Sequence, residues 1–341
     1  MQAQKRLGKQ TMRMAGDVKI IGSASIAGKM EGEGPIGESF DEVFEDAHWG
    51  EESWEKAETK MQKETALCAI SKAGKAVSDI QMIYAGDLIN QCICSTFGIR
   101  DLGIPFYGLF GACSTMAEAL SMGAFVVDGG FAETVVCGTS SHFASAERQF
   151  RFPMEYGGQR ALTAQWTVTG AGMAVLSNEG TGPYITEITT GVITDKGIKD
   201  ASNMGGAMAP AAVSTMLAHF TDTGRTPDYY DLILTGDLGK LGSDIVREMM
   251  SECGYPLKSN YNDCGLIIYD LKKQDVHSGG SGCGCSAAVL CGHILKLMSS
   301  GEVNKVLFVG TGALMSPTST QQGESIPSIA HAVVLSNVKE N

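Results

Sequence analysis

Phe110-Gly111-Ala112-Cys113-Ser114-Thr115 is the stretch on which the reading of this chain turns. It joins an apolar strand candidate to a helix expected over 116–127, built almost wholly of small and apolar residues with Glu118 near its start. A cysteine that opens a buried helix lies among free backbone N–H groups at the positive end of the helix dipole. That setting favours a thiolate, and it equally favours a bound anion. Two uses follow: a nucleophile, or one wall of an anion pocket.

Outward from this turn the chain repeats itself. Met82-Ile83-Tyr84-Ala85-Gly86-Asp87-Leu88 returns 150 residues later as Leu232-Ile233-Leu234-Thr235-Gly236-Asp237-Leu238. Ala112-Cys113-Ser114 returns as Gly284-Cys285-Ser286, and Cys137-Gly138-Thr139 as Val309-Gly310-Thr311, both 172 residues on. Val175-Leu176-Ser177-Asn178 returns as Val334-Leu335-Ser336-Asn337 at an offset of 159. Two landmarks with one offset mark a duplication, with halves at 1–180, which carries Cys113, and 181–341. Apolar strands alternate with helices in each half, which means mixed sheets with helices on their faces. A helix is expected over 54–73, ended by Gly74, and a second buried helix over 287–298. Two buried helices packed between two sheets give a layered α/β sandwich with pseudo-twofold symmetry.

The 341 residues carry a net charge of −12, which argues against nucleic acid and against electrostatic adhesion to anionic lipid. Ten carboxylates and three lysines crowd 38–64, a solvated face. Lys5, Arg6, Lys9 and Arg13 form a small basic arm, read as a loose, solvated terminus. No apolar run reaches the length of a membrane span and no secretory signal opens the chain, so a soluble cytoplasmic protein is expected. The ten cysteines fit no small disulfide scaffold and are read as reduced thiols. Cys92-x-Cys94 and Cys283-x-Cys285 lack the spacing and the histidines of zinc sites, so neither a metal nor a cofactor is expected.

A helix-opening Gly-Ala-Cys-Ser turn in the first half only resembles the thiolase-like superfamily of condensing enzymes. Further blocks narrow the likeness: Ala146-Glu147-Arg148-Gln149-Phe150, Glu155-Tyr156-Gly157-Gly158-Gln159, Ala207-Met208-Ala209-Pro210-Ala211-Ala212, Leu234-Thr235-Gly236-Asp237-Leu238, Asp263-Cys264-Gly265-Leu266, Gly279-Gly280-Ser281-Gly282-Cys283 and Ser325-Ile326-Pro327-Ser328-Ile329-Ala330-His331. Together they resemble the stage V sporulation AD family of spore-forming Firmicutes over essentially the whole chain. The resemblance implies a thiolase-like duplicated fold, a five-layered αβαβα sandwich. It also implies a non-catalytic role in taking up dipicolinic acid, pyridine-2,6-dicarboxylate, into the developing spore, with calcium as a companion ion. Integral membrane proteins of the same uptake system are the implied partners, and the implied place is the forespore cytoplasm, peripheral to the spore inner membrane. A homodimer is implied too, through an edge strand of the first half for which Thr134-Val135-Val136-Cys137 is the candidate. An acyltransferase that loads an acyl group from coenzyme A onto Cys113 is the competing reading.

Condensing enzymes add a His and an Asn, or two His, to the cysteine, because an enolate oxygen needs aimed donors and an acid or base of near-neutral pKa. Where the resemblance puts that histidine this chain has Thr235-Gly236-Asp237, and the asparagine loop reads Gly279-Gly280-Ser281-Gly282. His142, after Gly138-Thr139-Ser140-Ser141, and His331, before the last strand, are the two histidines placed to approach the pocket. His48, His219, His277 and His293 are read as surface or satisfied core residues. For a flat aromatic dianion the expected ligand groups are Cys113, Ser114 and Thr115 at the helix start, the hydroxyls of Ser140 and Ser141, His142, the Gly280-Ser281 loop and His331. Arg148, with Arg151 and Arg160, is the candidate for gripping a carboxylate through two parallel bonds. Asp87 and Asp237, at repeat-related strand ends, are read as acceptors for N–H groups of their own turns.

Overall fold

The repeat closes as two five-stranded halves of one sheet path. The structure, a computed structural model, describes residues 5–150 and 160–339. In chain order the main strands are β1 (Lys19–Gly28), β2 (Met82–Gly86), β3 (Phe106–Leu109), β4 (Thr134–Ser141), β5 (Gly170–Ser177), β6 (Tyr184–Thr189), β7 (Leu232–Thr235), β8 (Tyr261–Asp263), β9 (Lys305–Ala313) and β10 (Ser328–Ser336). They run β8-β7-β9-β10-β6-β1-β5-β4-β2-β3, with Thr11–Arg13 added beside β6 and Glu42–Phe44 beside β1. Each half has the same plan. Three parallel strands (β3, β2, β4; β8, β7, β9) are followed by two antiparallel ones. The halves meet at the single pair Lys19 and Tyr184.

The helices are α1 (Trp54–Lys72), α2 (Ile93–Arg100), α3 (Thr115–Asp128), α4 (Phe143–Phe150), α5 (Met204–Thr223), α6 (Gly239–Glu252) and α7 (Cys283–Val289). The last continues through a π turn at Leu290–Ile294 into Leu295–Ser300. α1 starts where the Ser53 side chain accepts the Lys56 N–H, and α5 where Asn203 accepts that of Gly206; Gly224 ends α5 in the left-handed region (φ +69°). α1 lies on β1 and β5, and α5 on β9 and β10, as outer layers. α3 touches β2 and β4 on one side and β9 and β10 on the other, while α7 lies on β1, β4 and β5. Helix, sheet, helix pair, sheet and helix make the five layers.

The middle layer is tight because its residues are small. A Cβ on Gly172 would stand 2.2 Å from the Ala287 carbonyl oxygen, and one on Gly310 would stand 2.6 Å from the Ala117 Cβ. Cys283–Ser300 qualifies one expectation. This 18-residue helical run, with mean hydropathy 1.3, is apolar enough to cross a bilayer by length and composition, and 72% of it is buried between the sheets.

Two further readings are corrected. The basic arm is not loose over residues 5–13: the Asp222 carboxylate accepts the N–H groups of Lys9, Gln10 and Thr11 at 3.0, 2.9 and 2.8 Å, and Lys5 pairs with Asp128 at 2.7 Å. Thr134–Cys137 is not an edge. It belongs to β4, all eight of whose residues are buried between β5 and β2, because a strand of β-branched and small residues packs well on both faces. The edge of the first half is β3, where Tyr107 is 59% exposed. Replacing Gly172 by Ala should push β5 and α7 apart and cost about 1–3 kcal/mol, read as a lower denaturant midpoint at unchanged slope.

Candidate functional site

The loops at the carboxyl ends of β2, β4, β7 and β9 converge on Cys113, the end of an α/β sheet where ligands bind. Ala112–Ser114 form a single 3₁₀ turn before α3, with Ala112 in the left-handed region at φ +50°. A non-glycine residue held there is strained, and the turn is kept by its neighbours: Ser114 Oγ donates to the Gly111 carbonyl at 2.7 Å and Thr115 Oγ1 to the Ala112 carbonyl at 2.6 Å. Beside the turn opens a cavity of about 340 Å³. Its walls are mainly apolar: Leu88, Phe110, Ala146, Phe150, Met204, Ala313, Leu314 and Met315. Thr167, Ser281, Ser316, Ser319 and Glu147 interrupt them.

Asp237 decides the state of the cysteine. Its buried carboxylate takes the Cys113 thiol hydrogen, the Thr311 hydroxyl at 2.8 Å on Oδ1, and Ser281 Oγ at 3.1 Å and Gly282 N at 2.8 Å on Oδ2. Burial raises the Asp237 pKa, and these donors oppose the rise. Burial and then the Asp237 charge push the Cys113 thiol well above its ordinary value. The expected thiolate is therefore overturned. A helix dipole is worth about 0.3–2 kcal/mol, and loss of solvent together with an adjacent carboxylate outweighs it.

The two repeat-related aspartates also part company. Asp87 accepts the Ile89 N–H at 2.8 Å, as a turn residue should. Asp237 does not serve its own turn. Leu238 N and Gly239 N donate instead to Asp263, both at 2.9 Å, which frees Asp237 to face Cys113. Burial lifts Asp263 to about 7.

Of the ten expected ligand residues, Cys113 and Ser281 line the cavity. The hydroxyls of Ser114 and Thr115 are spent inside their turn. Ser140 Oγ donates to Glu58 at 3.1 Å and Ser141 Oγ to the Val168 carbonyl at 2.7 Å, away from the cavity. Gly280 presents its carbonyl to Gln165 Nε2 at 2.7 Å. His142 borders a different cleft of about 520 Å³ on the far side of α4, where it bonds the Ala47 carbonyl at 2.8 Å. His331 accepts the Gly191 N–H at 3.2 Å, and burial lowers its pKa to about 4. Arg148 pairs with Glu55 at the surface, and Arg160 holds Asp275 at 2.9 Å over the Trp166 ring. Arg151 and the Glu155–Gln159 block lie outside the described residues. Among the described residues, no histidine and no basic side chain lines the cavity.

The wall residues were not anticipated. They come from separate loops, and single apolar side chains on loops carry no periodic signal. The donor atoms of Glu58, Asp87 and Cys94 do lie within 4.8 Å of one another. Serine hydroxyls and backbone N–H groups donate to both carboxyls, so Glu58 and Asp87 belong to a buried hydrogen-bonded cluster.

A family model described as stage V sporulation protein AD matches residues 8–336. The stage V sporulation protein AD of Bacillus subtilis (strain 168) is 47% identical over 330 residues, 97% of each chain. Among solved structures, 3-oxoacyl-[acyl-carrier-protein] synthase III from Aquifex aeolicus is similar at a TM-score of 0.57 and 13% identity, covering 94% of this chain and 99% of that one. OleA from Xanthomonas campestris is similar at 0.59 and 13%, covering 93% and 98%. These likenesses show the thiolase-like fold.

Under native conditions Cys113 should react with iodoacetamide far more slowly than the exposed Cys253. Asp237→Asn should speed Cys113 alkylation by about tenfold or more, since removing the neighbouring charge lowers the thiol pKa. Peptide mass spectrometry reads both rates.

Proposed function

Because this chain belongs to the stage V sporulation protein AD family, we propose that it is a non-catalytic carrier that holds dipicolinate in the Cys113 cavity during sporulation. The observation that carries this reading is the chemistry of the cavity. Apolar walls suit a flat ring, the Thr167 hydroxyl suits a carboxylate oxygen, and the thiol that would be a nucleophile is held protonated against Asp237. With Asp237 behind the wall and no basic residue among the described lining residues, a bare dianion meets repulsion. The ligand is therefore taken to enter with calcium, which pyridine-2,6-dicarboxylate chelates through its ring nitrogen and both carboxylates.

Delivery across a membrane falls to integral membrane partners in this reading, with the carrier at the forespore face of the spore inner membrane. A second copy of the chain is proposed to pair along the β3 edge. Tyr107 on β3 is 59% exposed, and Phe110 just beyond the strand is 49% exposed, which leaves apolar surface at that edge.

Isothermal titration with dipicolinate, with and without calcium, tests the carrier. Saturable binding is expected, strongest with calcium, lost in Ala146→Trp, which fills the cavity, and about fivefold weaker in Thr167→Val through loss of one hydrogen bond. No saturable heat under either condition would refute the reading. An acyl adduct on Cys113 after incubation with acyl-coenzyme A, seen by intact mass, would establish the acyltransferase instead.

A further inference from the structure

One wall of the Cys113 cavity rests on two buried carboxyls. Glu58, on α1, accepts Ser140 Oγ at 3.1 Å from the end of β4 and Ser145 Oγ at 2.8 Å from the first turn of α4. Asp87, at the end of β2, accepts Ile89 N and Ser95 N at 2.8 Å each and Ser95 Oγ at 2.6 Å. Gln149 ties the two anchored segments together: Asn90 N donates to its Oε1 at 2.9 Å, and its Nε2 donates to the Leu88 carbonyl at 3.2 Å. Loop 88–95 and α4 thus form one cross-linked wall, which presents Leu88, Ala146 and Phe150 to the cavity.

Among the described residues, the space beneath that wall holds acids and no base. α1 brings Glu58, with Glu55 acting from farther off; β2 brings Asp87; α2 brings Cys94; and α7 brings Cys283. β4 and α4 contribute the hydroxyls of Ser140 and Ser145, and Arg148 of α4 turns to Glu55 at the surface. Glu58 and Asp87 are fully buried. Two fully buried carboxyls whose oxygens lie within 4.8 Å of each other repel strongly when both are charged, which favours keeping one proton on the pair.

We propose that the Glu58–Asp87 pair is a proton-held latch that keeps loop 88–95 and α4 seated over the Cys113 cavity, and that losing its proton loosens that wall. Burial first, and the Asp87 charge second, lift Glu58 to about 8, which sets the latch to open as pH rises from 7 to 9. The sign follows from linkage: a carboxyl raised in the fold above its unfolded value stabilises the native wall less and less as pH climbs through the folded pKa. The latch rests on the cavity's geometry and stands whatever ligand the cavity takes.

Hydrogen exchange of the full chain between pH 6 and 9, corrected for intrinsic exchange, tests this. Protection over 87–95 and 143–150 should fall about tenfold between pH 7 and 9 while α3 stays constant, and Glu58→Gln should flatten the response. Asp87→Asn, which removes the second charge and leaves Glu58 buried, should move the step to lower pH and serves if Glu58→Gln does not fold. Acrylamide quenching in a Phe150→Trp reporter follows the same step by fluorescence. Wall protection that tracks α3 at every pH, a step that persists in Glu58→Gln, or a step that Asp87→Asn leaves unmoved overturns the latch.

Discussion

The close approach of two helices to two sheets is the constraint on which the rest depends. α3 and α7 reach the sheets only where glycine and alanine leave room, at Gly172 against Ala287 and Gly310 against Ala117. Such packing fixes helix positions to within a few tenths of an ångström, because close-packed interiors do not stretch. The turn at Cys113 inherits that rigidity from α3, and the Gly282 loop inherits it from α7. Asp237 lies between them and bonds to both. Its contact with the thiol thus follows from how the helices are seated rather than from a local loop preference.

Duplication gave the two halves the same plan and then let them take different work. At the end of β2, Asp87 organises its own loop; at the end of β7 that duty passes to Asp263, and Asp237 turns inward. The halves share the habit of burying a second carboxyl beside the strand-end aspartate, Glu58 in one and Asp263 in the other. Buried acids surrounded by hydroxyls and amides are costly to ionise, and they hold loops firmly because leaving any one donor unmatched is costlier still.

The layered fold was legible because it is written in periodic and repeated features. The shared offset of Cys113 and Gly138, the small-residue helices and the Gly-Asp-Leu strand ends all report backbone placement. Cys113 was found for the same reason, as it sits at a landmark of the repeat, whereas Ser281 was found through the resemblance, which places its Gly-rich loop at the pocket. The other expected ligands were chosen by residue type, and type does not reveal partners. Ser140 looks like a free hydroxyl until Glu58 is seen across from it, and His142 looks like a pocket residue until α4 is seen to stand between. The apolar wall at Leu88, Phe150 and Met315 had no linear signature, since its members meet only after the chain has folded. The thiol's charge state was misjudged for a related reason: the helix start is local, whereas Asp237 is 124 residues away.

The short strand Thr11–Arg13 pairs with β6, so the beginning of the chain is stitched into the second half. Thr11 Oγ1 bonds Thr189 Oγ1, 178 residues downstream, at 2.9 Å. On a ribosome this strand therefore waits for a partner made 178 residues later, while the sheet of the first half already has all its own strands. Docking of the amino-terminal strand then becomes a closing event in assembly. It joins the two halves at an edge that the second half, released alone, would leave bare to other chains.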